Sequence, residues 1–176
     1  MNSVTVNHFI NQLRTAFEAG DVHATAKTTE AAHVELVQNL YRTVARGDLA
    51  AFLNSLAEDV EFENIGPSVI PFSGRWRGKT EVGAAIQRNF AVVEDQCPEV
   101  LTLVAQGDTV IIVAREQGRI RSTGRKYDMH WVQMFTLRDG QVVRFRQIFD
   151  SAVMVGALAV PESLDPSKQP AAQPAQ

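Results

Sequence analysis

Residues 135–158 read FTLRDGQVVRFRQIFDSAVMVGAL, two alternating runs joined by Asp139-Gly140 and followed by a short apolar segment. An Asp-Gly pair between alternating runs signals a hairpin, because both residues tolerate the positive φ angles that a tight two-residue turn needs. Within VRFRQIFD, residues 143–150, the apolar side reads Val143, Phe145, Gln147, Phe149. One residue is out of character. Burying an amide without a partner costs about 1–3 kcal/mol, so Gln147 is expected to face a hydrogen-bond partner, a water or a ligand.

Upstream of that hairpin the pattern repeats. Alternating runs at 100–106, 109–121, 126–138 and 141–150 are separated by Gly107-Asp108, Ser122-Thr123-Gly124 and Asp139-Gly140, which predicts an antiparallel meander. Before the meander the period is helical. Val34, Val37, Leu40, Tyr41 and Val44 share one face of a helix over 30–46 that stops at Gly47. Asp48 then caps a short helix carrying Leu49, Phe52, Leu53 and Leu56, and Val60, Phe62 and Asn64 share one face of a strand. Residues 65–78 read as a loop with room for a short strand, and Thr80 is positioned to cap a helix using Val82, Ala85, Ile86, Phe90 and Val93. Residues 152–158 suit a final helical turn. Helices followed by hairpin-linked strands predict an α+β domain with helices covering one sheet face.

The flanks differ from this central region. Val6, Phe9, Ile10, Leu13 and Phe17 suggest an amphipathic helix, so 1–30 is expected to be a helical extension and polar linker, 31–159 the domain, and 160–176 a disordered tail rich in Pro, Ala and Gln. The 176 residues are 45% hydrophobic, enough for one ordinary core. A net charge of −3 offers no broad basic field, so neither nucleic acid nor an anionic membrane is an expected partner. One cysteine, Cys97, permits no intrachain disulfide, and the opening MNSVTVNHFINQLR lacks a signal-peptide pattern; a cytoplasmic setting is expected.

Three phrases, LYRTVARGDLAAFLNSLAEDVEFEN, PFSGRWRGKTEVGAAI and FTLRDGQVVRFRQIFDSAVMVGAL, resemble the SnoaL-like group of the nuclear transport factor two-like superfamily over about residues 32–158. The Gly47-Asp48 step and the Phe-x-Gly-x-x-x-Gly segment from Phe72 to Gly78 carry much of that resemblance. It implies a curved antiparallel sheet wrapped around helices as a cone with an internal apolar pocket. The superfamily hosts isomerases, epoxide hydrolases, cyclases, dehydratases and plain binders, so fold alone names no reaction. Laid over ketosteroid isomerase, Leu40 stands at the tyrosine position, Asn64 at the general base and Gln133 near the protonated acid. Laid over limonene epoxide hydrolase, the water-holding residues fall near Ala114, Glu116 and Gln147. Neither catalytic set is retained.

What remains is one acid among amides. Strand alternation puts Asn64, Glu116, Gln133 and Gln147 on core-facing sides, although Ile111 and Val113 make the opposite face of Glu116's strand apolar too, and a single bulge would turn Glu116 outward. The resemblance directs all four into one cavity, joined by Trp131, Phe62, Phe145 and Tyr41, with Trp76 as a lid or core residue at its mouth. In that setting desolvation raises Glu116 toward neutrality, as a general acid or base requires, and the amides orient a carbonyl or water. The expected function is cofactor-independent acid/base chemistry, of isomerase, hydrolase or dehydratase type, on a hydrophobic small molecule. The alternative is a noncatalytic ligand-binding or dimeric interaction domain. In a purely structural reading, the amides pair with each other and Glu116 pairs with an arginine.

Other motifs point elsewhere with less force. Residues 74–80, GRWRGKT, place three residues between the glycines where a phosphate-binding loop needs four. His8, His23, His33, His130 and Cys97 show no metal-ligand spacing, so no metal is expected. Asp128 and His130 lie on the outer sheet face as an oriented base or as surface chemistry. Arg119, Arg121, Arg125 and Lys126 make a solvated turn or a grip on an anionic tail. Arg115, Arg144 and Arg146 mix with Ile111, Val113, Val132, Met134 and Ile148 on that outer face, which suits a homodimer.

Overall fold

The computed structural model describes residues 26–159, together with His8, Asn11, Gln12 and Thr15. The N-terminal apolar stripe and the Pro-rich tail lie outside the described residues. The elements run α1 (Ala26–Ala45), α2 (Leu49–Asn54), β1 (Leu56–Ile65), β2 (Gly74–Arg77), α3 (Lys79–Val92), β3 (Val93–Gln106), β4 (Thr109–Ile120), β5 (Lys126–Arg138), β6 (Gln141–Phe149) and α4 (Ser151–Leu158). Helix α1 begins at Ala26, inside the stretch expected to be linker.

One sheet holds every strand among the described residues, in the order β2-β1-β6-β5-β4-β3. The meander from β3 to β6 is antiparallel as expected, but β1 and β6 pair in parallel, so the sheet is mixed. Parallel neighbours need a long crossover. Here α3 and the strands β3 to β5 supply it. Asp139 and Gly140, at φ 51° and 72°, make the expected turn into β6.

The register places a ladder of rings on the inner sheet face. Trp76 pairs with Phe62, Phe62 with Phe145 and Phe145 with Phe135, so four strands each contribute one ring. Centroid separations are 5.1, 4.8 and 4.7 Å along that row, all stacked. Val110 and Ala105 continue the row to the far edge. Tyr41 of α1 meets Phe135 edge-on at 6.3 Å.

Helices cover the same face: α1 packs on β3 and β4, α3 on β1, β2 and β3, and α4 on β4 and β5. Asp48 caps α2 by accepting from Ala51 N at 2.9 Å, and Asp150 caps α4 by accepting from Val153 N at 3.2 Å. Thr80 does not cap α3. Gly78 holds the N-cap position without a side-chain bond, and Glu81 accepts from Arg77 N at 3.1 Å.

Alternation misleads at three bulges. Leu137 pairs with Val142 and Thr136 with Arg144, leaving Val143 as an extra residue. Val142, rather than Val143, is therefore the fully buried one. β3 is shifted at Glu94/Cys97 and again at Val100/Thr102, and it starts at Val93 rather than near Val100. Its polar run 94–97 hides that beginning.

Phe62 is 3% exposed and sandwiched between Trp76 and Phe145. Phe62→Ala is predicted to cost about 3–5 kcal/mol in urea unfolding followed by circular dichroism, and Phe62→Leu to cost less because more of the volume is kept.

Candidate functional site

The ladder fixes what lies beside it. Moving two residues along each strand gives a second row in which Asn64 pairs with Gln147, Gln147 with Gln133, and Gln133 with Ile112. Two residues further, Phe149, Trp131 and Ala114 align, and then Met129 aligns with Glu116. β4 keeps an unbroken register with β5 from Thr109 to Arg119, so no bulge turns Glu116 outward.

Between this face and the helices lies a cavity of about 90 Å³. Glu116, Gln133, Gln147, Trp131, Phe145 and Tyr41 all line it. Three other expected residues do not. Phe62 is committed to the ladder, while Trp76 stacks on Phe62 beneath the Arg88 guanidinium, 5.8 Å from the ring centroid. The indole is thus a core-edge residue rather than a lid. Asn64 is buried off the cavity wall, where Nδ2 donates to the Phe72 carbonyl at 3.0 Å and its Oδ1 has no protein partner. Its work is to tie down the loop after β1, which brings Phe72 onto the cavity wall.

The amides form a chain. Tyr41 donates to Gln133 Oε1, and Gln133 Nε2 donates to Gln147 Oε1 at 3.1 Å. That is the partner Gln147 required. Among the described residues no protein group accepts from Gln147 Nε2, so the chain ends in a donor. Burial pushes the Tyr41 hydroxyl well up, with nearby Glu116 adding to the effect, and the tyrosine stays a neutral donor.

Glu116 is 6% exposed and has no cationic partner among the described residues. Its Oε1 accepts from Tyr127 Oη at 2.8 Å and Gln96 Nε2 at 3.1 Å, and its Oε2 accepts from Trp131 Nε1 at 3.1 Å. Desolvation raises the carboxyl pKa, the hydrogen bonds from Gln96, Tyr127 and Trp131 oppose the rise, and desolvation wins. The arginine ion pair of the structural reading is not what holds it. Tyr127 can reach Glu116 because it crosses Gly118, where a Cβ would stand 2.4 Å from the hydroxyl oxygen.

Gln96 and Tyr127 were not among the residues the sequence singled out. Tyr127 had a signal, since it shares the inward phase of Met129 and Trp131 on β5. Gln96 had none, because the bulge after Glu94 breaks the phase of its strand.

The outer-face candidates are otherwise engaged. Asp128 takes both ends of the Arg115 guanidinium and Gln117 Nε2, and these bonds hold its carboxyl down at about 2. Among the described residues no hydrogen bond joins it to His130 as an oriented-base pair would require. Arg119 pairs with Glu94 and Asp95, Arg121 with Glu94, and Arg125 donates to the Gly156 carbonyl, so this arginine group braces β3 and α4. Among the described residues no group of His, Cys, Asp and Glu could hold a metal, and no helix is long and apolar enough to cross a membrane.

A second cavity of about 130 Å³ adjoins the first, reached by way of the α1–α2 turn and α3. Val44, Phe52, Ile86 and Phe90 line both and form the partition.

The raised Glu116 carboxyl links stability to pH. Between the ordinary glutamate value of 4.5 and the higher folded value, the native state keeps a proton that the unfolded chain has lost. That stabilisation is complete below 4.5 and disappears as pH rises through the folded value. Urea midpoints across this window are predicted to fall for the wild type relative to Glu116→Gln, which lacks the titrating group.

The SnoaL-like domain family matches residues 37–145. Among curated proteins none is significantly similar in sequence. A nuclear transport factor two-like protein from Burkholderia xenovorans LB400 superposes with a TM-score of 0.66 at 29% identity, covering 73% of this chain and 97% of that one. A structure described as a SnoaL-like polyketide cyclase, from Jannaschia, gives 0.67 at 22% identity over 81% and 99% of the two chains. A protein of ketosteroid isomerase-like fold from Catenulispora acidiphila, solved with trimethylamine, gives 0.59 at 14% over 72% and 94%. A cone-like α+β fold of mixed sheet and helices, and a family match over most of that fold, make this chain a member of the SnoaL-like domain family, within the nuclear transport factor two-like superfamily.

Proposed function

We propose that the protein is a cofactor-independent acid/base enzyme acting on a small, largely apolar carbonyl compound, with Glu116 as the group that moves the proton. The observation that carries this reading is a buried carboxyl on the cavity wall whose hydrogen bonds, among the described residues, all come from neutral donors. A carboxylate offers about four lone-pair positions. Two donors occupy Oε1 and one occupies Oε2, so Oε2 keeps a position for a substrate proton.

The step that fits is proton transfer from carbon. Oε2 takes the proton from a C–H bond next to a carbonyl, and the bonding pair moves to the carbonyl oxygen as an enolate. Gln147 Nε2, at the end of the Tyr41–Gln133–Gln147 chain, is a donor available to that oxygen. The proton then returns from Glu116 to a different carbon in an isomerisation, or to an oxygen after carbon–carbon bond formation in a cyclisation. One carboxyl suffices for both halves. A two-carboxylate water site has no second acid on the cavity wall, which weighs against the hydrolase type among the described residues.

Size restricts the substrate. A dry cavity of about 150 Å³ admits benzene, and the 90 Å³ here is smaller. A ring-bearing substrate therefore extends past Ile86 and Phe90 toward the adjoining cavity. The cytoplasmic setting and a homodimer belong to the same proposal. On the uncovered sheet face Val113, Val132, Ile148 and Ile65 align across four strands, and Ile148 is 44% exposed.

Two experiments test the proposal. On a substrate found by screening small cyclic ketones, Glu116→Gln is expected to lose about 10²–10⁴-fold in kcat while staying folded; full activity would leave the noncatalytic binding domain as the better account. Light scattering is expected to give twice the 19.4 kDa chain mass, and Ile148→Lys to reduce it to one.

A further inference from the structure

We infer that Gln96 is a positioning residue for Glu116, aimed by a left-handed bulge in β3. The inference rests on the acid/base role given to Glu116. In a regular strand, continuing from the buried Val93, the residue two positions on is Asp95, and Gln96 would face away from the cavity. Instead the register shifts between Glu94 and Cys97, and Asp95 takes φ 53°, the left-handed region that few residues other than glycine adopt. The extra residue reverses the phase, so Gln96 faces inward and donates to Glu116 Oε1 at 3.1 Å.

The bulge is clamped from the neighbouring strand. Arg119 holds Asp95 at 2.5 Å and Glu94 at 3.1 Å, and Arg121 holds Glu94 at 2.8 Å. Two ion-paired acids and an unusual backbone angle thus serve to bring one neutral amide to the carboxyl. A charged donor at that position would fix Glu116 as a carboxylate, whereas an amide only steadies the atom pair and leaves the proton exchangeable. Among the described residues the remaining titratable groups near Glu116 are Tyr127 on β5 and Tyr41 on α1, and both hydroxyls are held neutral by burial; the charge of the N-terminal amine adds a smaller lowering effect on the carboxyl. The bond from Gln96 is the one supplied by the edge strand, so it is the donor that local opening of β3 would release.

The test is a carbon-13 NMR titration of the Glu116 carboxyl in the full chain. Gln96→Leu, which removes the donor, is expected to move the midpoint upward. Asp95→Val, which disfavours the left-handed angle, should move it the same way, while Asp95→Gly, which loses the same Arg119 pair but tolerates that angle, should move it less. An unchanged midpoint in Gln96→Leu overturns the positioning role whether or not Asp95→Val folds. Turnover of Glu116→Gln is read separately: an unchanged midpoint in Gln96→Leu with turnover lost in Glu116→Gln removes the positioning role alone, whereas a raised midpoint with turnover kept upholds it and removes the catalytic reading.

Discussion

Trp76, Phe62, Phe145 and Phe135 lie face to face across β2, β1, β6 and β5, and one of the joints in that row is the parallel pair β1–β6. Strand register is fixed most firmly where one face is buried, because a slip of one residue would turn every ring outward. With the rings in place, the row beside them must contain Asn64, Gln147 and Gln133. Glu116 follows on the same face of β4. The polar lining of the cavity is thus a consequence of where the apolar residues stack.

That lining is arranged to satisfy polar atoms without supplying a positive charge. Gln147 accepts from Gln133, which in turn accepts from Tyr41, and Glu116 is given two aromatic donors and one amide. An arginine in place of any of these donors would hold the acid ionised, as Arg115 does for Asp128 on the outer face. The two acids stand on neighbouring strands and opposite sheet faces: the exposed one is pinned low by its cation, and the buried one is raised by desolvation that neutral hydrogen bonds only partly offset. Arginines are plentiful in the chain, yet those described around Glu116's strand face outward and bind acids there.

Much of this was legible in the sequence because most strands obey period two. The hairpin at Asp139-Gly140, the limits of β5, the cap at Asp48 and the inward phase of Gln133 follow from local pattern, whereas both faces of β4 are apolar and the phase of Glu116 is settled by its unbroken register with β5. The failures fall where one residue is inserted. Val143 was read inward because the alternation Val143, Phe145, Gln147, Phe149 looks continuous, while the bulge substitutes Val142. Gln96 was invisible because Asp95 reverses the strand's phase within a polar run. Trp76 and Asn64 show a different limit. Alternation places Asn64 on the inner side and the resemblance puts Trp76 at the cavity mouth, but a side chain so placed can be spent on a loop carbonyl or a ring stack rather than on the cavity.

The central claim is that Glu116 is a proton-exchanging carboxyl kept above the ordinary range by its apolar surroundings. Isotope-edited infrared spectroscopy reads it directly through the carbonyl band of a protonated acid, with Glu116→Gln as the subtraction. The account predicts a protonated-acid band assigned to Glu116 that persists at pH values where exposed glutamates have ionised, then disappears reversibly on further raising the pH. Loss of that band at or below the ordinary glutamate value of 4.5 would contradict it.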